Sequence, residues 1–596
     1  MRPADLALYR FPPAWRWLIE QVWRIEHAFE RSKAAGRAQD DTKLRLFFVL
    51  ALFAAGFLTL GVGATKSALF PEADRNGALA GAPPGARADL VDRNGQLLAV
   101  DLPHYGLYFD PHDNWNRPEV RRALAVALPQ LSPQRLDRAL ASDRRQYLLG
   151  GLTPEERDRI DDLGLPGISF EPESHRVYPL GPTGGHLIGF VDHGGVSKGQ
   201  AGVERALDQA IRDNAGGAPV ALSIDLRIQS ALQDEVQKTA SSFQADGAIG
   251  IVTNVHTGEI LGMVSYPAFD PNKAGLTPPC DMINHAAATV YEPGSVFKVF
   301  TLAAGIDSGV ATINTVFDAS TPLQIGNQRI HDDEKDNAPL PLWEVFTHSS
   351  NIGAARLGLK LGPDRMRHYF KSFGLFGAAP SELAESAKPI LPLKLTDNTV
   401  ASMAFGQAIS VSPLAVATGM NAILNGGEYI PLTIRKLDPR DYPHGHRVIS
   451  EATSRTMLDL MRLNATTGTG RGADALAPGY RLGGKTGTAQ KAINGHYAAG
   501  KRVSSFAAVF PTDGPMNADH YFVFILLDSP KPTKESGGFA MGAQTAAPAA
   551  GRLVERIAPY LGVKRAPTPL APTSLAPTPL ADLKVAAIAA PAGAEQ

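Results

Sequence analysis

From Leu46 to Ala64 the chain carries no charged side chain, and apolar residues fill nearly every position, enough to cross a bilayer as one helix. The run exceeds the apolar core of a signal peptide and follows a long N-terminal stretch, so it reads as an uncleaved anchor. Arg31, Lys33, Arg37, Lys43 and Arg45 crowd its N-terminal side, whereas Lys66 and then Glu72 and Asp74 follow it. That asymmetry predicts a cytoplasmic N-terminus, with the bulk of the chain outside and periplasmic where the cell has two membranes. Upstream, Trp15, Leu18, Ile19, Val22, Ile25 and Phe29 recur at helical spacing, with Arg16, Glu20, Arg24 and Arg31 between them. This predicts an amphipathic helix, suited to the membrane interface, to a partner helix or to plain solvent exposure.

Beyond a Gly/Ala/Pro linker at 77–85, alternating residues around Asn94-Gly95 predict a β-hairpin over Arg87–Ala99. Thr153-Pro154-Glu155-Glu156 has the pattern of a helix start with a capping box. Residues 66–218 mix short strands and helices without a chemical constellation, which points to a spacer or interaction domain. From Val220 onward, Ser223–Arg227 leads into a helical pattern reaching about Ala240, and 248–252 and 260–264 read as strands around Thr257-Gly258. Ser504–Phe510 and Tyr521–Asp528 are further strands, with helical segments filling the middle. The expected class is α+β, an antiparallel sheet with helices grouped against it. After Val563 a five-residue repeat, Ala566-Pro567-Thr568-Pro569-Leu570 and its echoes, predicts an extended or disordered tail without a catalytic part. The expected organisation is a tail with an amphipathic helix (1–45), a transmembrane helix (46–65), a pedestal (66–218), a catalytic domain (219–563) and the Ala/Pro-rich tail (564–596).

Composition adds limits. At 596 residues and 44% hydrophobic the chain holds more than one domain with sizeable cores. A net charge of -1 gives no general pull toward nucleic acid. Cys280 is the single cysteine, which excludes an intramolecular disulfide and a cysteine-based zinc cluster, and it reads as a structural thiol in a Pro-rich loop.

The chemistry centres on Tyr291-Glu292-Pro293-Gly294-Ser295-Val296-Phe297-Lys298. Pro293-Gly294 breaks the chain before an apolar helix-compatible run, placing Ser295 at or beside a helix N-terminus. Lys298, three residues on, shares its face, and first-turn N–H groups have no partner inside the helix. A nucleophile, a base and part of an anion hole thus come from one turn. Alone, the pattern could be a surface serine near a lysine. Ser349-Ser350-Asn351 and Lys485-Thr486-Gly487-Thr488 follow in order, and each pattern occurs once. Singly these would read as a helix cap beside Ile352 and as a glycine-bearing strand.

Together the three resemble the serine motifs of β-lactamases and penicillin-binding proteins. From the anchor to about Val563 the chain is similar to the class B penicillin-binding proteins, membrane-anchored D,D-transpeptidases that cross-link peptidoglycan. The likeness extends to Arg176-Val177-Tyr178-Pro179, His186-Leu187-Ile188-Gly189 and Gly202-Val203-Glu204, and to Thr257–Leu261, Ser265–Pro267, Asp270–Asn272, Phe405–Gln407 and Asn425–Gly427. It looks most like the division-specific FtsI type, whose partner is the glycan-polymerising FtsW. Ala88 and His285 depart from the family's usual glycine and arginine. The resemblance implies that Ser295 is acylated by a stem-peptide D-alanine carbonyl and Lys298 is its base, with a pKa lowered by burial and by Lys485. It implies that Ser349 relays the proton, Asn351 holds the substrate amide and Lys485 supports the network. Thr486 and Thr488 would bind the substrate carboxylate from an edge strand, Gly487 would leave room for substrate, and the N–H groups of Ser295 and Thr488 would form the oxyanion hole. β-Lactams would be captured by the same serine. A carboxypeptidase, a β-lactamase, an elongation-specific transpeptidase and a mainly structural division protein share parts of this pattern. No motif asks for a metal, nucleotide or organic cofactor.

Overall fold

The computed structural model describes residues 86–566, apart from 193–196, 334–337 and 494–495, together with six isolated positions between Arg24 and Phe57. The chain divides into two compact units, Met1–Gly77 and Ala78–Gln596. In the first, Arg24, His27, Arg31, Ala34, Phe53 and Phe57 are helical. The remainder of the expected anchor and amphipathic helix lies outside the described residues, as does the repeat tail beyond Ala566. Among the described residues no helix is long and apolar enough to cross a membrane.

The second unit carries two five-stranded sheets. In the pedestal, β1 (Leu90–Val91) pairs antiparallel with β2 (Leu97–Phe109) around the Asn94-Gly95 turn, where Gly95 takes φ +84. Strand β3 (Gln146–Leu152) flanks the far end of β2, β4 (Ile168–Val177) pairs with it from Val100 to Phe109, and β5 (Val220–Ala221) runs parallel to β1. Leu107, Phe109 and Leu148 turn one face of this sheet onto Val120, Leu124, Leu136 and Ile160 of three short helices. Thr153 forms its capping box with Glu156 at the start of one of them. The buried Glu204 joins Arg87 and Arg176 at 2.7 Å each, and Asp101 completes the cluster 2.9 Å from Arg176. Ala88 lies beside it, its carbonyl accepting from the Arg176 guanidinium at 2.9 Å.

The catalytic sheet is wholly antiparallel. β6 (Gly247–Asn254), β7 (Ile260–Tyr266), β8 (Gly483–Ile493), β9 (His496–Phe510) and β10 (Tyr521–Asp528) lie in the order β8-β9-β10-β6-β7. Period-two alternation sends Phe522, Phe524 and Leu526 into one core and Val523, Ile525 and Leu527 into the other, so both faces are covered. Helix α1 (Leu226–Ser242), capped by Asp225, packs on one face. Helices α2 (Lys298–Asp307), α3 (Asn351–Ser372) and α4 (Glu451–Thr467) pack on the other. The β8 edge, which itself carries the Lys485 motif, therefore borders the helices that carry the other two. Cys280 is exposed in the Pro279–Met282 turn, and among the described residues no cluster of ligands for a metal is found.

Candidate active site

Ser295 lies not in α2 itself but in the 3₁₀ turn Gly294–Phe297 that leads into it. Residues three apart eclipse in a 3₁₀ turn, so the tighter winding keeps Ser295 and Lys298 on one side. Ser295 is half-buried between buried Gly294 and Val296, the one partly open position of Pro293–Phe300. Gly294 adopts φ +56, and a Cβ there would come within 2.7 Å of the Thr488 carbonyl oxygen. A Cβ on Gly487 would meet Ser505 Oγ at 2.4 Å and Val296 Cγ2 at 2.8 Å. Glycines at both points let the Ser295 turn and the edge strand β8 approach backbone to backbone.

Lys298 is fully buried. Its Nζ donates to the Ser349 carbonyl, to Ser349 Oγ at 3.1 Å and to Asn351 Oδ1 at 2.8 Å, all neutral acceptors. Burial pushes its pKa down to about 7, against the pull of Asp332 and Asp333. Lys485, equally buried, donates to Ser349 Oγ at 2.8 Å and to the Thr486 carbonyl at 3.2 Å. Burial first and Lys298 second hold Lys485 well below the ordinary lysine range. Burial is the first cause for both amines, and the repulsion between them belongs to the coupled pair. One hydroxyl, Ser349 Oγ, joins both amines.

Ser349 takes φ +59, a left-handed conformation rare for a non-glycine residue and one that strained sites retain. Ser350, not Ser349, caps α3, its hydroxyl accepting from Gly353 N at 2.9 Å. Asn351 Nδ2 donates to the His331 carbonyl at 3.1 Å, which turns Oδ1 toward Lys298. On β8, Thr486 donates to Thr469 Oγ1 at 2.7 Å, and Thr488 Oγ1 accepts from Gly542 N at 3.2 Å. The fold thus joins Lys298, Ser349, Asn351 and Lys485 by direct hydrogen bonds and lays Thr486–Thr488 along the Ser295 turn.

Three contributors, Asp332, Thr469 and Glu292, carry no sequence signal of their own. Asp332 accepts from Ser350 Oγ and from the N–H groups of Asn351 and Ile352. Thr469 holds Thr486. Glu292, within the motif stretch but unassigned by sequence, accepts from Ala408 N at 3.0 Å and from the Tyr497 hydroxyl at 3.1 Å, tying the β8–β9 hairpin to the nucleophile turn. Burial raises the Glu292 carboxyl above its usual range. The departure His285 bonds Thr289 Oγ1 at 2.8 Å.

A serine at the head of an apolar helix, a buried amine of near-neutral pKa one turn on, a hydroxyl between two lysines and an edge strand beside them form the apparatus of acyl transfer. Residues 248–551 match the penicillin binding protein transpeptidase domain and residues 82–240 the penicillin-binding protein dimerisation domain. The chain belongs to the penicillin-binding transpeptidases, with their two-domain architecture. Within them it is a class B protein of the FtsI type. It is 56% identical over 559 residues to the probable peptidoglycan D,D-transpeptidase FtsI of Caulobacter vibrioides, covering 93% of this chain and 94% of that one. It is 31% identical to peptidoglycan D,D-transpeptidase FtsI of Escherichia coli K12, covering 76% and 81%. The crystal structure of penicillin binding protein 3 from Mycobacterium tuberculosis, complexed with aztreonam, shares the fold with a TM-score of 0.63 at 24% identity, over 83% of this chain and 100% of that one.

Proposed function

We propose that the chain cross-links septal peptidoglycan as a D,D-transpeptidase, with Ser295 as the nucleophile. The observation that carries this reading is the fully buried Lys298 amine, held by neutral acceptors near pKa 7 one turn from a half-open serine. Neutral Lys298 takes the Ser295 proton as Oγ attacks the penultimate D-alanine carbonyl of a stem peptide. The N–H groups of Ser295 and Thr488 receive the oxyanion, and Ser349, bonded to Lys298, relays the proton that Lys298 took to the departing terminal D-alanine, while Lys485 supports the network. Asn351 and the Thr486–Thr488 edge hold the substrate amide and carboxylate. An amine of a second stem peptide then attacks the acyl-enzyme, giving the cross-link and freeing Ser295. A β-lactam enters by the same first step and stays attached.

The segments around this core complete the reading. Residues 46–65 anchor the chain in the inner membrane with 1–45 cytoplasmic. Residues 66–218 form a periplasmic pedestal for an FtsW-type glycosyltransferase and other division proteins, 219–563 the transpeptidase domain, and 564–596 a tail. Labelled penicillin should form a long-lived adduct at Ser295, located by peptide mass spectrometry and lost in Ser295→Ala. A drug turned over rapidly, or attached elsewhere, overturns the assignment. A fluorescent fusion should gather at mid-cell, whereas labelling along the side wall would make the chain an elongation enzyme. Normal septation with Ser295→Ala as sole copy would leave scaffolding as its role.

A further inference from the structure

Resting on the acylation reading above, we propose that Asp332 is a positioning residue of the active site: its carboxylate builds the turn that presents Ser349 and Asn351 to the two lysines. Asp332 Oδ2 accepts from Ser350 Oγ at 2.6 Å, and Oδ1 accepts from Asn351 N and from Ile352 N, the latter at 2.9 Å. Those two N–H groups open the first turn of α3 and have no acceptor within the helix. Ser350 Oγ, polarised by Asp332, accepts in turn from Gly353 N. One carboxylate therefore satisfies the head of a long helix directly and through its cap, where the N-terminal end of the helix dipole also favours a negative charge.

The consequence for chemistry lies one residue upstream. Ser349 is held left-handed at φ +59, and both its carbonyl and its hydroxyl face Lys298. A backbone of that shape persists only where its surroundings over-determine it. On one side the surroundings are Phe346, whose carbonyl accepts from Ser349 N at 3.2 Å. On the other they are Ser350 and Asn351, both bound to Asp332. The preceding carbonyl, His331 O, takes the Asn351 amide N–H and so fixes which end of that side chain meets Lys298. His331-Asp332 thus sets the acceptors of Lys298 without touching the amine. Asp332 is also the first charge opposing the burial of Lys298, so its removal lowers the pKa of that amine further.

The test is the second-order rate of acylation of the full chain by labelled penicillin from pH 5 to 9, for wild type, Asp332→Asn and Asp332→Ala, with melting temperatures alongside. Asp332→Asn keeps the shape but puts an amide where one carboxylate oxygen accepted, and the expected loss is about tenfold or more. The acylating form needs neutral Lys298, so the rate falls as pH drops through its pKa. With the negative charge gone the ammonium is less favoured, and this acid limb moves to lower pH. A purely structural role for Asp332 would lower the melting temperature and the rate without moving the limb, which overturns the inference. So does a variant within twofold of wild type at every pH. If Asp332→Ala fails to fold, Asp332→Asn decides alone. A wild-type chain that forms no adduct sinks the acylation reading itself, and this inference with it.

Discussion

Lys298 is an amine kept in a place that penalises its charge, and the penalty can be measured. In the unfolded chain a lysine titrates near 10.4, whereas the folded Lys298 titrates at about 7. Between those values the unfolded state holds a proton that the folded state lacks, so stability rises with pH across that window; below it the full cost of burying the charge is present. The span corresponds to a net penalty on the order of a few kcal/mol at acidic pH. Lys298→Met should therefore melt higher than wild type at pH 6, and the advantage should shrink as pH approaches 10. A melting difference independent of pH would show that the amine is not neutral in the folded protein. The same proximity argument applies to Gly487. A methyl carbon on it would sit 2.4 Å from Ser505 Oγ and 2.8 Å from Val296 Cγ2, so Gly487→Ala must push β8 off the nucleophile turn. Acylation should fall by about 100-fold in a protein that still folds, since a misplacement of about 1 Å can cost that much; an unchanged acylation rate would show that the strand need not lie so close.

Elements were legible where periodicity and local punctuation set them. The Asn94-Gly95 hairpin, the Thr153 capping box, the helix from Leu226 and the strands at 247–254, 260–266 and 521–528 all form where the pattern places them. The three motifs were legible as chemistry because each carries its own residue types. Their partners were not. Asp332 meets Asn351 at a separation of 19 residues, and Glu292 meets Tyr497 at a separation of 205 residues. No local period encodes such pairings. The start of the nucleophile helix was also shifted, since a 3₁₀ turn and an α turn share the same residues and differ only in winding. Where an element meets its neighbour, volume decides. A Cβ on Gly250 in β6 would lie 2.6 Å from Leu232 Cδ1 and 2.8 Å from Val236 Cγ2 of α1. Gly250→Val should cost about 2–4 kcal/mol by overpacking, read as a lower denaturation midpoint with unchanged slope. An unchanged midpoint would mean that helix and sheet slide apart freely.

At the scale of the whole second unit, the pedestal and the catalytic sheet meet through the hairpin turn that opens the pedestal. Arg93 N donates to the Ile224 carbonyl at 2.8 Å, and Asn94 Nδ2 donates to Asp225 Oδ2 at 3.2 Å. Asp92 is the hub: Oδ1 accepts from Asn94 N at 2.7 Å and Gln96 N at 2.8 Å, while Oδ2 accepts from Leu226 N at 3.0 Å. The carboxylate is buried, so it closes the turn and caps α1 from the other domain at once. Asp92→Ala leaves three backbone donors without their charged acceptor, a loss of about 2–4 kcal/mol with part of it recovered by water. α1 lies on the face of the sheet opposite the motif-bearing helices, and the site's hydrogen bonds do not pass through it. The full chain with Asp92→Ala should therefore melt several degrees lower while acylating at a rate within about twofold of wild type well below its melting temperature. A large fall in that rate at unchanged melting temperature would mean that the joint governs the geometry at Ser295, making the pedestal part of the catalytic unit and not its support.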